Sequence, residues 1–385
     1  MSNINNNPIK AGLDGVVAAE TKLSRIDGQA GTLTIAGFPL QELANNASFE
    51  ETVYLLWHDR LPNAQELADF RQAVAARRTL PTATVNLLEA AAKAKVSAID
   101  ALRMAASSLS LGAPDKNPGG NPERDALIVV AAFPTIVATY WRLQQGQDPI
   151  APRADLGHTA NYLYMLFDEV PSPERTRGLE TYLNTVVEHG FNASTFTARV
   201  IISTQSDMIS ATVGALGALK GPLHGGAPGP ALDMVFEIGE VDQAEAYIRQ
   251  KIERGERLMG FGHRIYKVRD PRAEVLAAAA KRFYQADGNM ALYDLATGVE
   301  AIVVRLLAEY KPGRNLQTNV EFYTALLLHG LGLTTDLFTP TFAVGRVGGW
   351  TGHAFEQQRE GRLIRPKAVY VGAEGRRWPE KELAL

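Results

Sequence analysis

The chain has 385 residues, of which 46% are hydrophobic and 21% charged, and its formal net charge is −3. This composition is typical of a globular protein with more than one domain, and the charge argues against a nucleic-acid surface spread over the whole fold. Cysteine is absent, which excludes disulfides, thiolate metal sites and thiol nucleophiles and favours a reducing compartment. The polar, Asn-rich stretch at positions 1–10 is not typical of a secretion signal or a membrane anchor, so we predict a cytoplasmic protein.

The predicted elements begin with a β-hairpin and continue almost entirely as helices. A turn signal at Asp27-Gly28 separates two short alternating stretches between Leu23 and Ile35, which predicts a hairpin. Apolar residues at three-to-four spacing then predict helices over 63–78, 84–95, 97–111, 124–145, 155–167, 174–189 and 194–219. The apolar stretch 126–141 contains a proline and is short for a membrane span, so we expect a buried core helix and no transmembrane segment. The predicted fold class is all-α with a small N-terminal β-hairpin.

Two histidines lie in glycine-rich turns and give the strongest functional signal in the chain. His224 lies within Gly221–Gly229, and His263 lies within Leu258–Lys267. Glycines allow a positive φ or a close backbone approach, and they prevent either histidine from being an interior helix position. Two imidazoles presented in this way favour proton transfer or hydrogen-bond donation to a reacting oxygen. Taken singly, each could be a turn histidine with a structural role only, and His189 could equally be a helix C-cap or a ligand contact.

Two helix starts further along the chain place charges beside helix N-termini. Asp270-Pro271 supplies an N-cap and a first-position proline, which puts Arg272 in the first turn, where it can bind a carboxylate. Thr318-Asn319-Val320-Glu321 precedes an apolar run, and we expect the helix dipole to keep the Glu321 carboxylate ionised so that it acts as a base. The same Thr-x-x-Glu pattern is also the signature of a capping box, a purely structural role, and the residues support both interpretations equally.

Two arginines near the end of the chain complete the set of candidates. Glycines around Arg346 favour a ligand contact, whereas Arg365 is by default a solvated side chain. The sequence contains no Walker phosphate loop, dinucleotide glycine motif, His-Glu-x-x-His or Gly-x-Ser-x-Gly, so the corresponding enzyme classes lose support. What remains is a metal-free enzyme with two histidines, one carboxylate and several arginines, suited to a small polycarboxylate and to chemistry beside a carbonyl.

These segments, in this order, resemble the citrate synthase family. The resemblance is carried by the two histidine turns, by Asn319–Tyr323, Phe342–Arg346 and Arg365–Gly372, and by Ile26-Asp27-Gly28 in the hairpin. It covers nearly the whole chain. The resemblance implies a helical homodimer in which residues 1–224 and 327–385 form a large domain and residues 225–326 form a small domain that closes over the substrates.

The resemblance also implies a role for each candidate residue in condensing acetyl-CoA with oxaloacetate. His224, His263 and Glu321 would be the catalytic groups. Oxaloacetate would be held by His189, Arg272 and Arg346 and by Arg365 of the partner subunit, and Lys267, Arg314 and Asn319 would contact CoA. Acetyl-CoA is then a co-substrate, and no cofactor, metal, nucleic acid or membrane is expected.

Several alternatives stay open from the sequence. The family's base is usually aspartate, and Glu321 is one methylene longer, which leaves room for a paralogue of low activity or none. A 2-methylcitrate synthase would use propionyl-CoA through the same residues. From another class, a metal-dependent hydrolase could use His189, His224, His263 and Glu321, although their spacing is not that of a compact metal site.

Overall fold

A computed structural model describes residues 10–13, 15–112, 121–225 and 228–378. Most of the polar start and positions 226–227 of the His224 turn therefore lie outside the described residues. Three strands, β1 (Ser24–Asp27), β2 (Thr32–Ile35) and β3 (Phe38–Pro39), form an antiparallel sheet in the order β1-β2-β3. Ser24 pairs with Ile35 and Asp27 with Thr32, which confirms the predicted hairpin. The two-residue strand β3 is too short to give an alternating pattern and is not predicted.

Sixteen α-helices make up most of the remaining described chain, and ten of them precede the His224 turn. These are α1 (Leu40–Asn46), α2 (Phe49–His58), α3 (Ala64–Ala75), α4 (Thr82–Lys93), α5 (Ala98–Ser108), α6 (Pro122–Gln144), α7 (His158–Phe167), α8 (Pro173–Val186), α9 (Ala193–Ile202) and α10 (Met208–Leu219). Helices α1 and α2 lie before the first window that the apolar spacing predicts. In α2 the cap is a full capping box, in which the side chains of Ser48 and Glu51 each accept the other residue's backbone N–H.

The predicted single helix over 194–219 is wrong, because the structure forms two helices there. Helix α9 ends at Ile202, Gln205 takes a left-handed conformation with φ 67°, and the Asp207 carboxylate caps α10 by accepting the Ser210 N–H at 2.8 Å. The polar turn between the helices lets α10 fold back and pack against α9. An N-cap signal at Asp207 was thus present in the sequence but was outweighed by apolar spacing on both sides.

Six helices follow the His224 turn: α11 (Pro228–Ile238), α12 (Val241–Glu253), α13 (Pro271–Asp287), α14 (Ala291–Tyr310), α15 (Val320–Gly330) and α16 (Phe338–Glu360). The predicted start of α13 is confirmed, because the Asp270 carboxylate accepts the Arg272 N–H and Pro271 occupies the first helical position. Helix α13 packs against α8 and α15. The domain boundaries at 225 and 326 stay a prediction.

Two long helices form the centre of the core. Helix α6 is, among the described helices, the one long and apolar enough to cross a membrane, but 78% of its most apolar 18-residue window is buried inside the protein. It packs against α4, α5 and α16, so it is the core helix that the sequence predicts. Helix α16 is buried along most of its length, with Trp350 and Arg346 almost fully enclosed, and it carries Arg346 into the site described next.

Candidate active site

One cavity of about 740 Å³ brings together most of the predicted site residues. Seven of them line it: His189, His224, His263, Arg272, Asn319, Glu321 and Arg346. They come from separate parts of the chain, namely the segment after α8, the turns before α11 and α13, the first turns of α13 and α15, and the middle of α16. The fold therefore collects at one place groups that are far apart in sequence.

The turn that carries His224 is pinned against the end of α10. The backbone N–H groups of His224 and Gly225 both donate to the Gly221 carbonyl, at 2.9 and 3.2 Å. Gly225 is required for space, because a Cβ there would lie 2.4 Å from the Leu219 carbonyl oxygen. The predicted glycine-defined turn is confirmed for its described part, and it directs the imidazole towards the cavity.

The tautomer of His224 follows from its hydrogen bonds. Ser194 N–H donates to His224 Nε2 at 3.3 Å, and Ser194 Oγ lies 2.8 Å from the same nitrogen. An amide can only donate, so Nε2 holds a lone pair and the proton of the neutral ring is on Nδ1. Trp350 Nε1 holds Ser194 Oγ in place at 3.0 Å. Burial, together with the Arg346 charge, lowers the pKa of His224 to about 4, so the imidazole is a neutral donor at physiological pH.

The imidazole in the second turn, His263, has the opposite tautomer to that of His224. Gly260 and Gly262 have φ values of 85° and 82°, as the glycine pattern predicts. His263 Nδ1 accepts hydrogen bonds from the backbone N–H groups of Ile265 and Tyr266, both at 3.1 Å. The proton of the neutral His263 ring is therefore on Nε2. Burial, reinforced by the Arg272 charge, lowers the pKa of His263 to about 4.

The N-terminal hairpin supports this turn from behind. Lys267 N–H donates to the Gly28 carbonyl at 2.9 Å. A Cβ at Gly28 would lie 2.4 Å from the Ile265 carbonyl oxygen, and one at Gly31 would lie 2.5 Å from the Val268 side chain. The Asp27-Gly28 turn, which the sequence predicts only as a hairpin, thus also fixes the position of the His263 turn.

Arg272 is a fixed cation beside His263. Its Nε and Nη2 form a fork with the Asp270 carboxylate at 3.1 and 2.8 Å, and its side chain is 5% exposed. Nη2 also lies 3.2 Å from His263 Nε2. A guanidinium and an Nε2–H are both donors and cannot bond to each other, so an acceptor oxygen placed beside both would satisfy them.

Arg346 and His189 are buried side chains that line the cavity. Arg346 Nε donates to the Val186 carbonyl, and no carboxylate in the described part of the chain forms an ion pair with its guanidinium. Burial lowers the pKa of Arg346 to about 10, which still leaves it charged. Burial, reinforced by the Arg272 charge, holds the pKa of His189 well below its usual value. A buried unpaired cation beside neutral donors is suited to an anionic ligand.

Glu321 occupies the second position of α15, but not in a capping box. Asn319 caps the helix by accepting the Glu321 N–H at 2.9 Å, and the Thr318 hydroxyl donates instead to Glu300 at 2.6 Å. The capping-box interpretation is therefore wrong. Burial raises the pKa of Glu321 despite the nearby charge of Arg257, and the role of Glu321 as an ionised base stays a prediction. A raised pKa makes a carboxylate a stronger base near neutral pH.

The residues predicted to contact CoA are mostly exposed, unlike the buried groups that line the cavity. Lys267 and Arg314 are exposed and do not line the cavity, and Lys267 Nζ donates to the Arg264 carbonyl at 3.1 Å. Asn319 lines the cavity, but its amide is engaged, with Nδ2 donating to the Gly262 carbonyl at 2.9 Å. Arg365 is exposed in a stretch, 361–378, without helix or strand. The roles predicted for these four residues stay predictions.

Some residues of the site give no signal in the sequence. Ser194 and Tyr266 hold the imidazoles of His224 and His189, and Arg257 lines the cavity near Glu321. His353, which shows no supporting motif, is fully buried and pairs with Glu188 at 3.0 Å behind the cavity. Their partners are distant in sequence, so only the folded chain reveals these contacts.

The metal-site alternative gains no support from the geometry. Within the residues that can be described, no group of three or more histidine or carboxylate side chains is arranged to hold a metal ion. His224 and His263 instead direct their lone pairs to backbone N–H groups. Nitrogen atoms engaged in this way are not available as metal ligands without rearrangement.

Comparisons with proteins of known sequence point to one family. A family profile described as citrate synthase, C-terminal domain, matches residues 12–367. Citrate synthase 2 of Bacillus subtilis is 43% identical over 364 residues, covering 94% of this chain and 95% of that protein. The 2-methylcitrate synthase of Mycobacterium tuberculosis is 39% identical over 371 residues, covering 96% of this chain and 92% of that protein.

Solved structures agree with the sequences. Citrate synthase from Pyrobaculum aerophilum superposes with a TM-score of 0.87 at 35% identity, covering 97% of this chain and 95% of that one. A ternary complex of carboxymethyl coenzyme A and oxaloacetate with citrate synthase from Thermoplasma acidophilum gives 0.86 at 29% identity, covering 97% and 98%. The all-α fold class is confirmed, and with it the resemblance seen in the motifs: the chain belongs to the citrate synthase family and is an acyltransferase.

Proposed function

We propose that this enzyme condenses acetyl-CoA with oxaloacetate and hydrolyses the resulting thioester to citrate and CoA. The observation that carries the proposal is the pair of neutral imidazoles with opposite tautomers, His224 and His263, in one cavity with the Glu321 carboxylate. The relative from Thermoplasma acidophilum, solved with carboxymethyl coenzyme A and oxaloacetate, supports this pair of substrates.

The first step is proton abstraction beside the thioester. Glu321 takes a proton from the acetyl methyl group, and the electron pair left on carbon moves into the thioester carbonyl. His224 donates a hydrogen bond from Nδ1–H to the oxygen that gains this charge. A preorganised donor of this kind is worth about 3 to 4 kcal/mol in the transition state, and a positioned base about 10²-fold or more.

The second step joins the two substrates. The enolate carbon attacks the keto carbon of oxaloacetate, and the keto oxygen takes up the displaced electron pair. His263 Nε2–H donates a hydrogen bond to that oxygen and helps to protonate it to a hydroxyl. Water then attacks the thioester carbonyl, and the C–S bond breaks to release the CoA thiol. Loss of the thioester makes the sequence irreversible.

The remaining groups bind the two substrates. His189, Arg272 and Arg346 take the oxaloacetate carboxylates, because a guanidinium offers five N–H donors and Arg272 uses only some of its own on Asp270. Lys267 and Arg314 lie on the surface beside the His263 turn and contact the CoA phosphates. Asn319 contacts CoA from the cavity lining. No metal or other cofactor takes part in these steps, so an enzyme treated with a chelator should keep full activity.

We also propose that the enzyme works in the cytoplasm as a homodimer with shared active sites. Arg365 is exposed and does not line the cavity of its own chain, which favours a role in the cavity of the partner. Mixed dimers of His224→Ala and Arg365→Ala subunits test this, because one of their two sites would contain neither change. Two inactive variants should therefore regain activity when they are unfolded and refolded together, and no recovery would contradict the shared site.

A second candidate substrate is propionyl-CoA. It is favoured by the 39% identity to 2-methylcitrate synthase of Mycobacterium tuberculosis. One added methylene changes the binding free energy by only about 1 to 3 kcal/mol, so both thioesters fit the same catalytic groups. The two candidates differ in the ratio of kcat/KM for acetyl-CoA and propionyl-CoA.

Thiol release tests the proposed function directly. Purified enzyme is mixed with oxaloacetate and either thioester, and a thiol reagent records free CoA. Because the chain has no cysteine, the protein adds no background to this signal. We expect rapid, oxaloacetate-dependent release with acetyl-CoA and citrate as the product. No release with either thioester would refute the proposal, and a higher kcat/KM for propionyl-CoA would select the second candidate.

A further inference from the structure

Tyr266 contacts two of the three imidazoles in the cavity wall. Its hydroxyl lies 3.1 Å from His189 Nε2, and its backbone N–H donates to His263 Nδ1 at 3.1 Å. The ring packs 4.9 Å from the His263 ring and lies 5.8 Å below the guanidinium carbon of Arg272. The side chain is almost fully buried, and it does not line the cavity itself.

We infer that Tyr266 is a positioning residue that orients His189, through its hydroxyl, to donate a hydrogen bond to the carboxylate of the keto acid. This inference rests on the proposed function, because it assumes that His189 binds oxaloacetate. It adds a residue that contacts no substrate but sets the hydrogen-bonding direction of one that does.

The direction of the hydrogen bond follows from the surroundings of the hydroxyl. A buried phenol O–H requires an acceptor. Among the residues that the structure describes, His189 Nε2 is the one hydrogen-bond partner of Tyr266 Oη. The hydroxyl therefore donates to Nε2, and burial raises the pKa of Tyr266, so that it keeps its proton. The proton of the neutral His189 ring must then be on Nδ1.

This tautomer is the one that a carboxylate needs. With Nε2 occupied by Tyr266, Nδ1 is the ring nitrogen left for a ligand, and it carries a proton to donate. If the hydroxyl accepted instead, His189 would present a lone pair to an anion, which is repulsive. His189 does not remove this repulsion by taking up a second proton, because burial and the Arg272 charge lower its pKa.

The two contacts of Tyr266 use different atoms, and this makes the inference testable. The tautomer of His263 depends on the backbone N–H of residue 266, which any side chain leaves in place. The tautomer of His189 depends on the phenol oxygen alone. Tyr266→Phe therefore removes the support of one imidazole while keeping the ring packing and the support of the other.

The test compares Tyr266→Phe with Tyr284→Phe. Tyr284 is also buried, and its hydroxyl donates to the Leu326 carbonyl at 3.0 Å away from the cavity, so its replacement controls for the loss of a buried hydrogen bond. We expect Tyr266→Phe to raise the KM for oxaloacetate, and its Kd in calorimetry without thioester, by about tenfold. The KM for acetyl-CoA and kcat should stay within about twofold. Tyr284→Phe should leave all four constants unchanged.

Unchanged oxaloacetate binding in folded Tyr266→Phe would overturn the inference. If that variant does not fold, ¹⁵N-histidine NMR of the wild type gives the same answer, with signals assigned by His189→Asn. We expect the Nδ1–H tautomer for His189, and an Nε2–H tautomer would overturn the inference. Wild-type enzyme that binds oxaloacetate but forms no citrate would refute the proposed function and leave the binding comparison valid.

Discussion

The lining of the cavity (the inner end) and the exposed surface beside the His263 turn (the outer end) are built in different ways. At the inner end, Arg272 is locked by the Asp270 carboxylate and Arg346 by the Val186 carbonyl, and both are almost fully buried. At the outer end, Lys267 and Arg314 are exposed side chains outside the cavity lining. The inner groups are buried and held before any ligand arrives, whereas the outer ones are exposed to solvent.

This difference separates two kinds of binding. Fixed, desolvated donors interact strongly with a ligand because no water screens them and little ordering is left to occur on binding. Exposed cations act through solvent, and their effect is small and depends on salt. We therefore expect large, specific effects from changes at the inner end and small, salt-dependent effects at the outer end.

The largest effect is expected from Glu321→Gln. The amide keeps the size of the side chain but cannot accept the methyl proton, so kcat should fall by about 10²-fold to 10⁴-fold. The KM for oxaloacetate should change little, because its carboxylates contact other residues. Steady-state thiol release and calorimetry with oxaloacetate give the two quantities.

Glu321→Asp serves as the matched comparison, since it keeps the charge and removes one methylene. If the backbone of α15 places the glutamate for catalysis, the shorter base should be slower, by up to about 10²-fold for a displacement of about 1 Å. A Glu321→Gln enzyme with near wild-type kcat would show that another group takes the proton.

Arg346→Met should separate stability from binding. Replacing a buried, unpaired cation with an apolar side chain of similar length should leave the Tm of the free protein unchanged or raise it. The same change should raise the KM for oxaloacetate by about 10-fold to 100-fold, because charged hydrogen bonds contribute about 1.5 to 3 kcal/mol. Oxaloacetate at 100 times its Kd should stabilise the wild type by about 2.7 kcal/mol, and at the same concentration Arg346→Met should lose about half of this gain if its Kd rises 10-fold and most of it if its Kd rises 100-fold.

Arg78→Met is the control for this experiment. Arg78 is another buried arginine, 2% exposed, and it donates to the carbonyls of Arg153 and Leu156 outside the cavity. Its loss should leave the response to oxaloacetate intact. Equal loss of the response in both variants would mean that Arg346 acts through the stability of the fold.

The pH dependence of kcat/KM should reflect Glu321. The ionised carboxylate is the active form, and its pKa is raised above the 4.5 of an ordinary glutamate. Activity should therefore fall about tenfold per pH unit as the pH drops below that raised pKa. The imidazoles of His224 and His263 stay neutral down to about pH 4. The fall in kcat/KM at low pH should therefore be absent from the residual activity of Glu321→Gln.

Stability should fall in the same direction for another reason. The folded-state pKa values of His224 and His263, about 4, lie below the 6.5 of an ordinary histidine. Their contribution to stability is therefore fully present above pH 6.5 and is lost as the pH falls through about 4. Denaturant unfolding at each pH separates this loss from the loss of the base, and stability that is constant from pH 7 to pH 4 would contradict the lowered pKa values.

The sequence predicts the positions of the main groups because local patterns fix them. Glycines at 260 and 262 require the turn that presents His263, and Asp270-Pro271 fixes the start of α13 and hence the place of Arg272. These are relations between near neighbours, so a single sequence contains them. The order of such motifs then indicates the family.

The sequence does not predict relations that depend on packing. The bonds from Ser194 to His224 and from Tyr266 to His189 span 30 and 77 positions, and nothing local marks them. The raised pKa of Glu321 was missed for the same reason, because the helix dipole is visible in the sequence and the burial that outweighs it is not. Tertiary context therefore decides the protonation states, while local pattern decides which residues are present.

The smallest effects are expected at the outer end. Lys267→Ala and Arg314→Ala should each raise the KM for acetyl-CoA by about twofold to fivefold, the range for an exposed ion pair of up to about 1 kcal/mol. Lys281→Ala, an exposed lysine further along α13, controls for the change in net charge. The effects should shrink as salt rises, because the Debye length falls from about 10 Å at 0.1 M to about 3 Å at 1 M. An effect larger than fivefold that persists at high salt would mean that closure buries these cations against CoA, and that the outer end is as fixed as the inner one once both substrates are bound.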